Sequence, residues 1–361
     1  MNEKVLIAGF ATRHVVRSAK NAGYLVYAID HFCDQDLCRI TESHQTFEEL
    51  AELPSLVESA QKMHNFEAIC VTSGAEDLNT EIKITGTPKE IASKFLDKKC
   101  IQEFFEEHSI PVPPVALENE YPAMIKPLRG AGGWRNQIVN SMEEELIWRE
   151  LWPDDLYIKQ KVVEGIPCSV SCISNGKCAC AISFNEQLLR GGNGERAYGF
   201  SGAITPFKHP LKDQIVKTAE KIVSMSGCIG SVGVDFIAGD KEFWAIEINP
   251  RFQATMDIVE MSTGINLFKA HINSFNGILP EKMPEPVQYA ARRVLFAEKD
   301  IKVRDDLKDL FEYISDIPHI GTEIEEGSAI LSVYGNGQTR EEALMSLDKA
   351  IIEIRRYISR W

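Results

Sequence analysis

An α/β unit leading into a mixed α+β region is the fold class this sequence predicts, and three observations carry it. Apolar runs of strand length alternate with helix-spaced apolar residues as far as about residue 96. A β-rich segment with an Asn175-Gly176 hairpin signal then extends to about residue 184. The C-terminal segment ends in an amphipathic helix that opens with a capping box, Thr339-Arg-Glu-Glu342. With 361 residues, 44% of them hydrophobic and 25% charged, the chain is long enough for two or three domains with a sizeable core.

In order, Lys4–Gly9 reads as a buried parallel strand, and Val15, Val16 and Ala19 as one face of a helix stopped at Gly23. Tyr24–Asp30 and Ala68–Thr72 read as further strands of the same sheet. This strand–helix–strand rhythm predicts a Rossmann-like domain over residues 1–96. The turn at Gly9 lacks the second and third glycines of a dinucleotide fingerprint, so Asp30 alone is a poor case for nicotinamide binding, and a structural domain bordering the site is expected. Asp97 caps a helix whose face holds Ile101, Phe104 and Phe105, and Ile110-Pro-Val-Pro-Pro114 ends it. The hairpin pairs Ser169–Ser174 with Lys177–Phe184. Leu211, Ile215, Val216, Ala219, Ile222 and Val223 mark a helix ending near Gly227, and Leu344, Leu347, Ile351, Ile354 and Ile358 form the stripe of the last one. The predicted division is 1–96, 97–284 and a small α+β extension at 285–361, with no internal repeat.

A net charge of −14 argues against nucleic acid or an anionic membrane as partner, because either polyanion is repelled at long range. The N-terminal apolar run is too short for a signal sequence, and no stretch approaches the ~20 apolar residues of a membrane helix. Nine scattered cysteines do not form a disulfide framework, so a reducing cytoplasm is expected. Cys168, Cys172, Cys178 and Cys180 flank the hairpin, but no Cys-x-x-Cys pair supports zinc, and buried packing is the simpler expectation. The histidines have no ligand-set spacing, and no nucleophile motif of a hydrolase is present.

The strongest chemical signal is Gly233-Val-Asp-Phe-Ile followed by Trp244-Ala-Ile-Glu-Ile-Asn-Pro-Arg251. Two adjacent strands then present Asp235 and Glu247 near one another, and Asn249, two residues on, shares a face with Glu247. Two carboxylates and an amide oxygen suit Mg²⁺, and Arg251 on the same side suits a transferred phosphoryl group. Trp244, Ile246 and Ile248 are expected as the buried face. A second signal is Pro122-Ala-Met-Ile-Lys126 running into the glycine-rich Arg129-Gly-Ala-Gly-Gly133, in which backbone N–H groups and Lys126 can meet phosphate oxygens. A third is Tyr157-Ile-Lys-Gln-Lys-Val-Val-Glu-Gly165.

Taken in this order, with Asp97-Lys98 and Ile110-Pro-Val-Pro113 upstream, the set resembles an ATP-grasp enzyme of the biotin carboxylase and carbamoyl-phosphate synthetase branch. Ser201–Pro206 resembles that branch's substrate-loop end, and Gly337–Leu344 its C-terminal domain. The resemblance implies an ATP-grasp fold that binds ATP with one or two Mg²⁺, Mn²⁺ being a possible substitute. Lys126, helped by Lys98, would contact the phosphates beneath the Ala131-Gly132-Gly133 loop. Gln160, Lys161, Val162, Val163 and Glu164 would form the nucleotide hinge, with Lys161 and Val163 offering backbone groups to the adenine. Asp235, Glu247 and Asn249 would hold the metal, and Arg251 would steady an acyl phosphate. Two positions depart from the pattern: Gln160 stands where an acidic residue is usual, and Pro167 where a ribose-binding acid is often found.

The loop Asn185–Gly202, carrying Arg190 and Arg196, is expected to clamp a small acid. The implied activity is an ADP-forming carboxylate-amine ligase acting on small molecules, with a homodimer common in this branch. A bicarbonate-activating carboxylase, a regulatory ATP-binding module and a nicotinamide-dependent oxidoreductase are the alternatives.

Overall fold

The computed structural model describes residues 3–361 apart from 131, 193, 308, 309 and 311. The N-terminal sheet is parallel, in the order Ser43–Gln45, Leu25–Asp30, Lys4–Gly9, Ala68–Val71. Alternate residues of its central strand feed two cores. Val5 and Ile7 pack with Val15, Val16 and Ala19 of the helix Arg13–Asn21, whereas Leu6 and Ala8 pack with Leu53, Val57 and Ala60 of the helix Leu53–His64. A parallel strand covered on both faces must be apolar throughout, which is why the run was legible. Gly9 serves close approach rather than a ligand: at φ +153° a Cβ there would lie 2.2 Å from Thr72 Oγ1. The buried Asp30 carboxylate is consumed locally, accepting from Thr12 N and Oγ1 and from the Phe32 and Cys33 amides.

Asp97 caps the helix Lys98–Glu107 by accepting from the Lys99 and Cys100 amides. A three-stranded sheet follows, Gln137–Val139, Ala123–Pro127 and Tyr157–Lys161, backed by the helix Met142–Leu151 through Trp148. Beyond it lies an eight-stranded antiparallel sheet, ordered Phe243–Asn249, Ile229–Ala238, Ile166–Asn175, Ala179–Leu189, Phe200–Thr205, Tyr289–Phe296, Ala329–Gly337, Ile314–Ser315. The hairpin strands are longer than expected, because pairing continues to both neighbours on either side of the Asn175 turn. The helix Lys212–Ser226 covers one face, ending on Gly227 in the left-handed conformation. The helices Met256–Thr263 and Leu267–Ser274 pack between the other face and the N-terminal sheet.

The last helix, Arg340–Ile358, has the expected reciprocal cap between Thr339 and Glu342. Residues beyond 284 are continuous with the central sheet, since Tyr289–Phe296 pairs directly with Phe200–Thr205. Among the described residues no helix is long and apolar enough to cross a membrane.

Arg13 ties these parts together. Its guanidinium makes a bidentate pair with Asp257 (3.0 and 2.6 Å), and its Nε lies 2.8 Å from Asp316, which also pairs with Arg292. Burial alone would raise the Asp257 carboxyl, but the Arg13 charge outweighs it and holds the group well below the usual carboxylate range. Removing one partner of such a cluster strands the others in a low-dielectric site. Arg13→Ala is therefore expected to cost about 3–5 kcal/mol of folding stability, read from urea unfolding at neutral pH; a loss near zero would mean that water reaches the carboxylates.

Candidate active site

A cavity of about 690 Å³ opens between the three-stranded sheet and the central sheet. The helix Lys98–Glu107, the Ser73 turn of the N-terminal domain and the segment Gln253–Thr255 also contribute to its lining. Strand alternation selects which side chains enter it. On Ala123–Pro127, Ala123 and Ile125 pack toward Trp148, while Met124 and Lys126 face the cavity. The partner strand places Gln160 opposite Met124 and Ile158 opposite Lys126, and both enter the cavity too.

Across from Lys126, the pairing Asp235↔Glu247 sets two carboxylates side by side, with Gly233↔Asn249 two residues further on the same face. The step in the other direction is irregular: Phe236 pairs with Ala245, leaving Ile246 as the extra residue of a β-bulge. This overturns the expected buried face at Trp244 and Ile246, while Ile248 is buried as expected. Phe243, Ala245 and Ile248 are buried, whereas Trp244 and Ile246 are only half-buried and Ile246 lines the cavity. In an unbroken strand Ala245 and Glu247 would point the same way; the bulge lets the first face the core and the second the cavity.

Asp235 accepts from Asn249 Nδ2 at 3.1 Å and from Gln187 Nε2 at 2.8 Å. Its carboxyl is nevertheless pushed up to about 7, by burial first and by the adjacent Glu247 second. Lys126 is only 8% exposed, and burial, reinforced by the neighbouring Lys98, lowers its ammonium to about 8. Lys98 Nζ donates to the Gly130 carbonyl at 3.0 Å and stands 4.0 Å from Glu247 Oε1. Arg251 is fixed on three sides: Nε to Glu76 at 2.7 Å, Nη2 to Asn249 Oδ1 at 3.2 Å and Nη1 to the Phe252 carbonyl at 3.0 Å.

The donor set fits a hard divalent cation. Two carboxylates whose mutual repulsion a cation would relieve lie beside an amide oxygen, and every donor is an oxygen. Among the described residues no group of three His, Cys, Asp or Glu side chains forms a metal cage, so phosphate oxygens and water would have to complete the coordination.

Of the expected site residues, Lys98, Lys126, Gly132, Gly133, Gln160, Lys161, Val162, Val163, Asp235, Glu247, Asn249 and Arg251 meet around this one cavity. Ala131 lies outside the described residues. Glu164 does not line the cavity; its carbonyl lies against Gly239. Arg190 and Arg196 do not line it either. Arg190 donates to the Gly327 carbonyl at 2.9 Å and stacks over Phe296, and Arg196 sits beside the same Gly327. Their loop instead holds the glycine-rich loop: the Arg135 amide donates to the Glu195 carbonyl, and a Cβ on Gly133 (φ +73°) would lie 2.1 Å from the Tyr198 carbonyl. Sequence reasoning missed Glu76, Ser73 and Gln187. Gln187 falls in the segment Asn185–Gly202 read as a loop, whereas the strand Ala179–Leu189 carries it into the cavity, and Glu76 is 175 residues from the arginine it holds.

Opposed sheets gripping a cavity with a lysine on one wall and paired acids on the other define an ATP-grasp fold. Residues 95–255 match the ATP-grasp domain family, and the fold is the one seen in solved structures of ATP-grasp type. It is 28% identical to an uncharacterized protein of Methanocaldococcus jannaschii, over 92% of this chain and 88% of that one. Among solved structures it is similar in fold to a biotin carboxylase of Campylobacter jejuni, solved as a β,γ-ATP complex (TM-score 0.77, 16% identity, 98% of this chain and 91% of that). It is likewise similar to a phosphoribosylamine–glycine ligase of Thermotoga maritima (0.73, 19%, 96% and 96%) and an L-amino acid ligase of Bacillus licheniformis (0.71, 15%, 98% and 98%).

Proposed function

We propose that this protein is an ADP-forming ligase that activates a small carboxylate as an acyl phosphate and joins it to an amine. The observation that carries the reading is the Asp235–Glu247 pair, with Asn249 and the fixed Arg251, facing Lys126 across one cavity. A site that only bound nucleotide would have no need of a guanidinium held at the phosphoryl end by three contacts.

In the first step a substrate carboxylate oxygen attacks the γ-phosphorus of ATP in line, and the bond to the β,γ-bridging oxygen breaks to release ADP. Lys126 neutralises phosphate charge, and the Arg251 fork meets the transferred phosphoryl oxygens. Asp235, Glu247 and Asn249 would hold Mg²⁺, which would neutralise phosphate charge. In the second step the amine attacks the acyl carbon, the carbon–oxygen bond to phosphate breaks, and the nitrogen loses a proton. No side-chain nucleophile takes part, so acceleration comes from positioning and fixed charge.

The test is Mg-ATP-dependent ADP release against pooled carboxylates and pooled amines, with a bicarbonate arm. Release that needs one acid and one amine supports the ligase. Release with bicarbonate alone points to a carboxylase instead, and no release from any pool despite nucleotide binding turns the reading toward a regulatory module.

The lowered Lys126 ammonium gives a pH prediction. Its cation is present below about pH 8 and lost above it. Triphosphate affinity should hold up to that point and then weaken by at most about tenfold per pH unit. Lys126→Arg keeps the charge at every such pH and should flatten the profile; titration calorimetry from pH 6.5 to 9.5 reads both, and a wild-type curve without a break would exclude Lys126 from the phosphates.

A further inference from the structure

The N-terminal sheet carries a row of rings that neither its cores nor the cavity wall absorbs. All four of its strands are parallel and end at one edge, so the residues that follow them become neighbours. Phe10 follows Lys4–Gly9, His31 and Phe32 follow Leu25–Asp30, and Ser73 and Gly74 lie just past Ala68–Val71. Phe10 stacks on His31, with centroids 4.7 Å apart and planes 12° from parallel, and meets Phe32 edge to face at 5.1 Å. Phe47 backs His31 and is buried, whereas Phe10 is 40% and Phe32 50% exposed. The exposed Leu50 joins them at Gly74, where a Cβ would lie 3.0 Å from Leu50 and 3.5 Å from Phe10. Apolar residues exposed singly need no explanation, but a contiguous group of this kind marks a binding surface.

Its position ties the group to the chemistry. The Phe10 amide donates to the Ser73 carbonyl at 2.8 Å, and Ser73 lines the cavity. The Glu76 carboxylate accepts from Arg251 with one oxygen and from the Gly74 amide with the other, both at 2.7 Å. Arg251, Glu76, Gly74 and Phe10 thus form an unbroken chain of contacts from the phosphoryl end to the rings. The same edge is where the strand order reverses. Leu25–Asp30 and Ala68–Val71 flank Lys4–Gly9, and the helices Arg13–Asn21 and Leu53–His64 cover opposite faces. Open α/β sheets take ligands outside the carboxyl ends of their strands at such a reversal. We propose that a substrate joined at Arg251 carries an aromatic ring, held by stacking on Phe10, His31 and Phe32. An organic cation is the poorer occupant, because the imidazole within the stack itself gains a positive charge on protonation. The ring can be part of the acid or of the amine; the chemistry that recognises it is the same.

This inference rests on the ligase reading above, and it is tested by binding rather than turnover so that the two fail separately. Ligand-observed NMR titrations of the full chain would be run with Mg²⁺ and β,γ-imido-ATP filling the nucleotide end. They would compare 3-phenylpropanoate with 3-cyclohexylpropanoate, and 2-phenylethylamine with 2-cyclohexylethylamine. Within each pair the lengths match and only one member has a π face. In at least one pair the phenyl compound should bind about fivefold more tightly, and that pair identifies the substrate that carries the ring. The double variant Phe10→Leu, Phe32→Leu alters exposed side chains and should bring the two members within about twofold. Equal affinities within both pairs overturn the inference in the wild type alone. A preference that persists in the double variant, with its melting transition unchanged, overturns it too, since other groups then hold the ring. Failure of β,γ-imido-ATP to bind the wild type brings down the ATP reading, and this inference with it.

Discussion

Glu247→Ala is expected to lower Mg-ATP-dependent ADP formation by about a thousandfold, the scale on which a charge-stabilising group contributes to a transition state. The physical cause is the cross-strand pair: without Glu247 the site keeps one carboxylate, Asp235, whose own oxygens already accept from Asn249 and Gln187. Too little negative charge remains to hold a divalent ion against the phosphates. Loss of folding is the obvious confounder, and the electrostatics speak against it. Burial first and Glu247 second raise the Asp235 carboxyl, so ionised Asp235 destabilises the folded state above the ordinary carboxylate range. Removing Glu247 lessens that penalty and gives up its attraction to Lys98 and Lys126, two opposing effects, so the metal-free variant should melt close to the wild type near pH 7. ADP release within about tenfold of wild type at saturating Mg²⁺ would refute the metal site.

Arg251→Lys should lower kcat by about a hundredfold while changing nucleotide Kd little. The guanidinium is held by Glu76, Asn249 and the Phe252 carbonyl. An ammonium keeps the charge but cannot fill those contacts and also point a fork at a phosphoryl group. Glu76, buried on the N-terminal domain, would then face a cation with fewer fixed donors. The split between kcat and Kd separates a transition-state role from simple ATP binding; equal losses in both would place Arg251 on the nucleotide instead.

The elements that sequence located share a physical trait: each depends on local periodicity. Lys4–Gly9 is apolar throughout because helices cover both faces of its sheet, and the Thr339 cap follows from hydrogen bonds three residues apart. Glu247 and Asn249 share a face because no irregularity separates them. The sequence alone thus determined the α/β entry, the lysine wall and the acidic wall of the site.

Tertiary structure decided what local pattern cannot encode. One inserted residue at Ile246 took Trp244 and Ile246 out of the expected buried face and left Ile248 in it, because a bulge shifts alternation without changing composition. Arg190 and Arg196 lie in a glycine-rich loop with no period to orient them; packing on Gly327 and Phe296 turned them from the cavity. Glu76 reaches Arg251, and Gln102 orients Gln160, across 175 and 58 residues. Such contacts depend on how separate elements dock, and docking is set by whole buried surfaces rather than by the residues that end up touching.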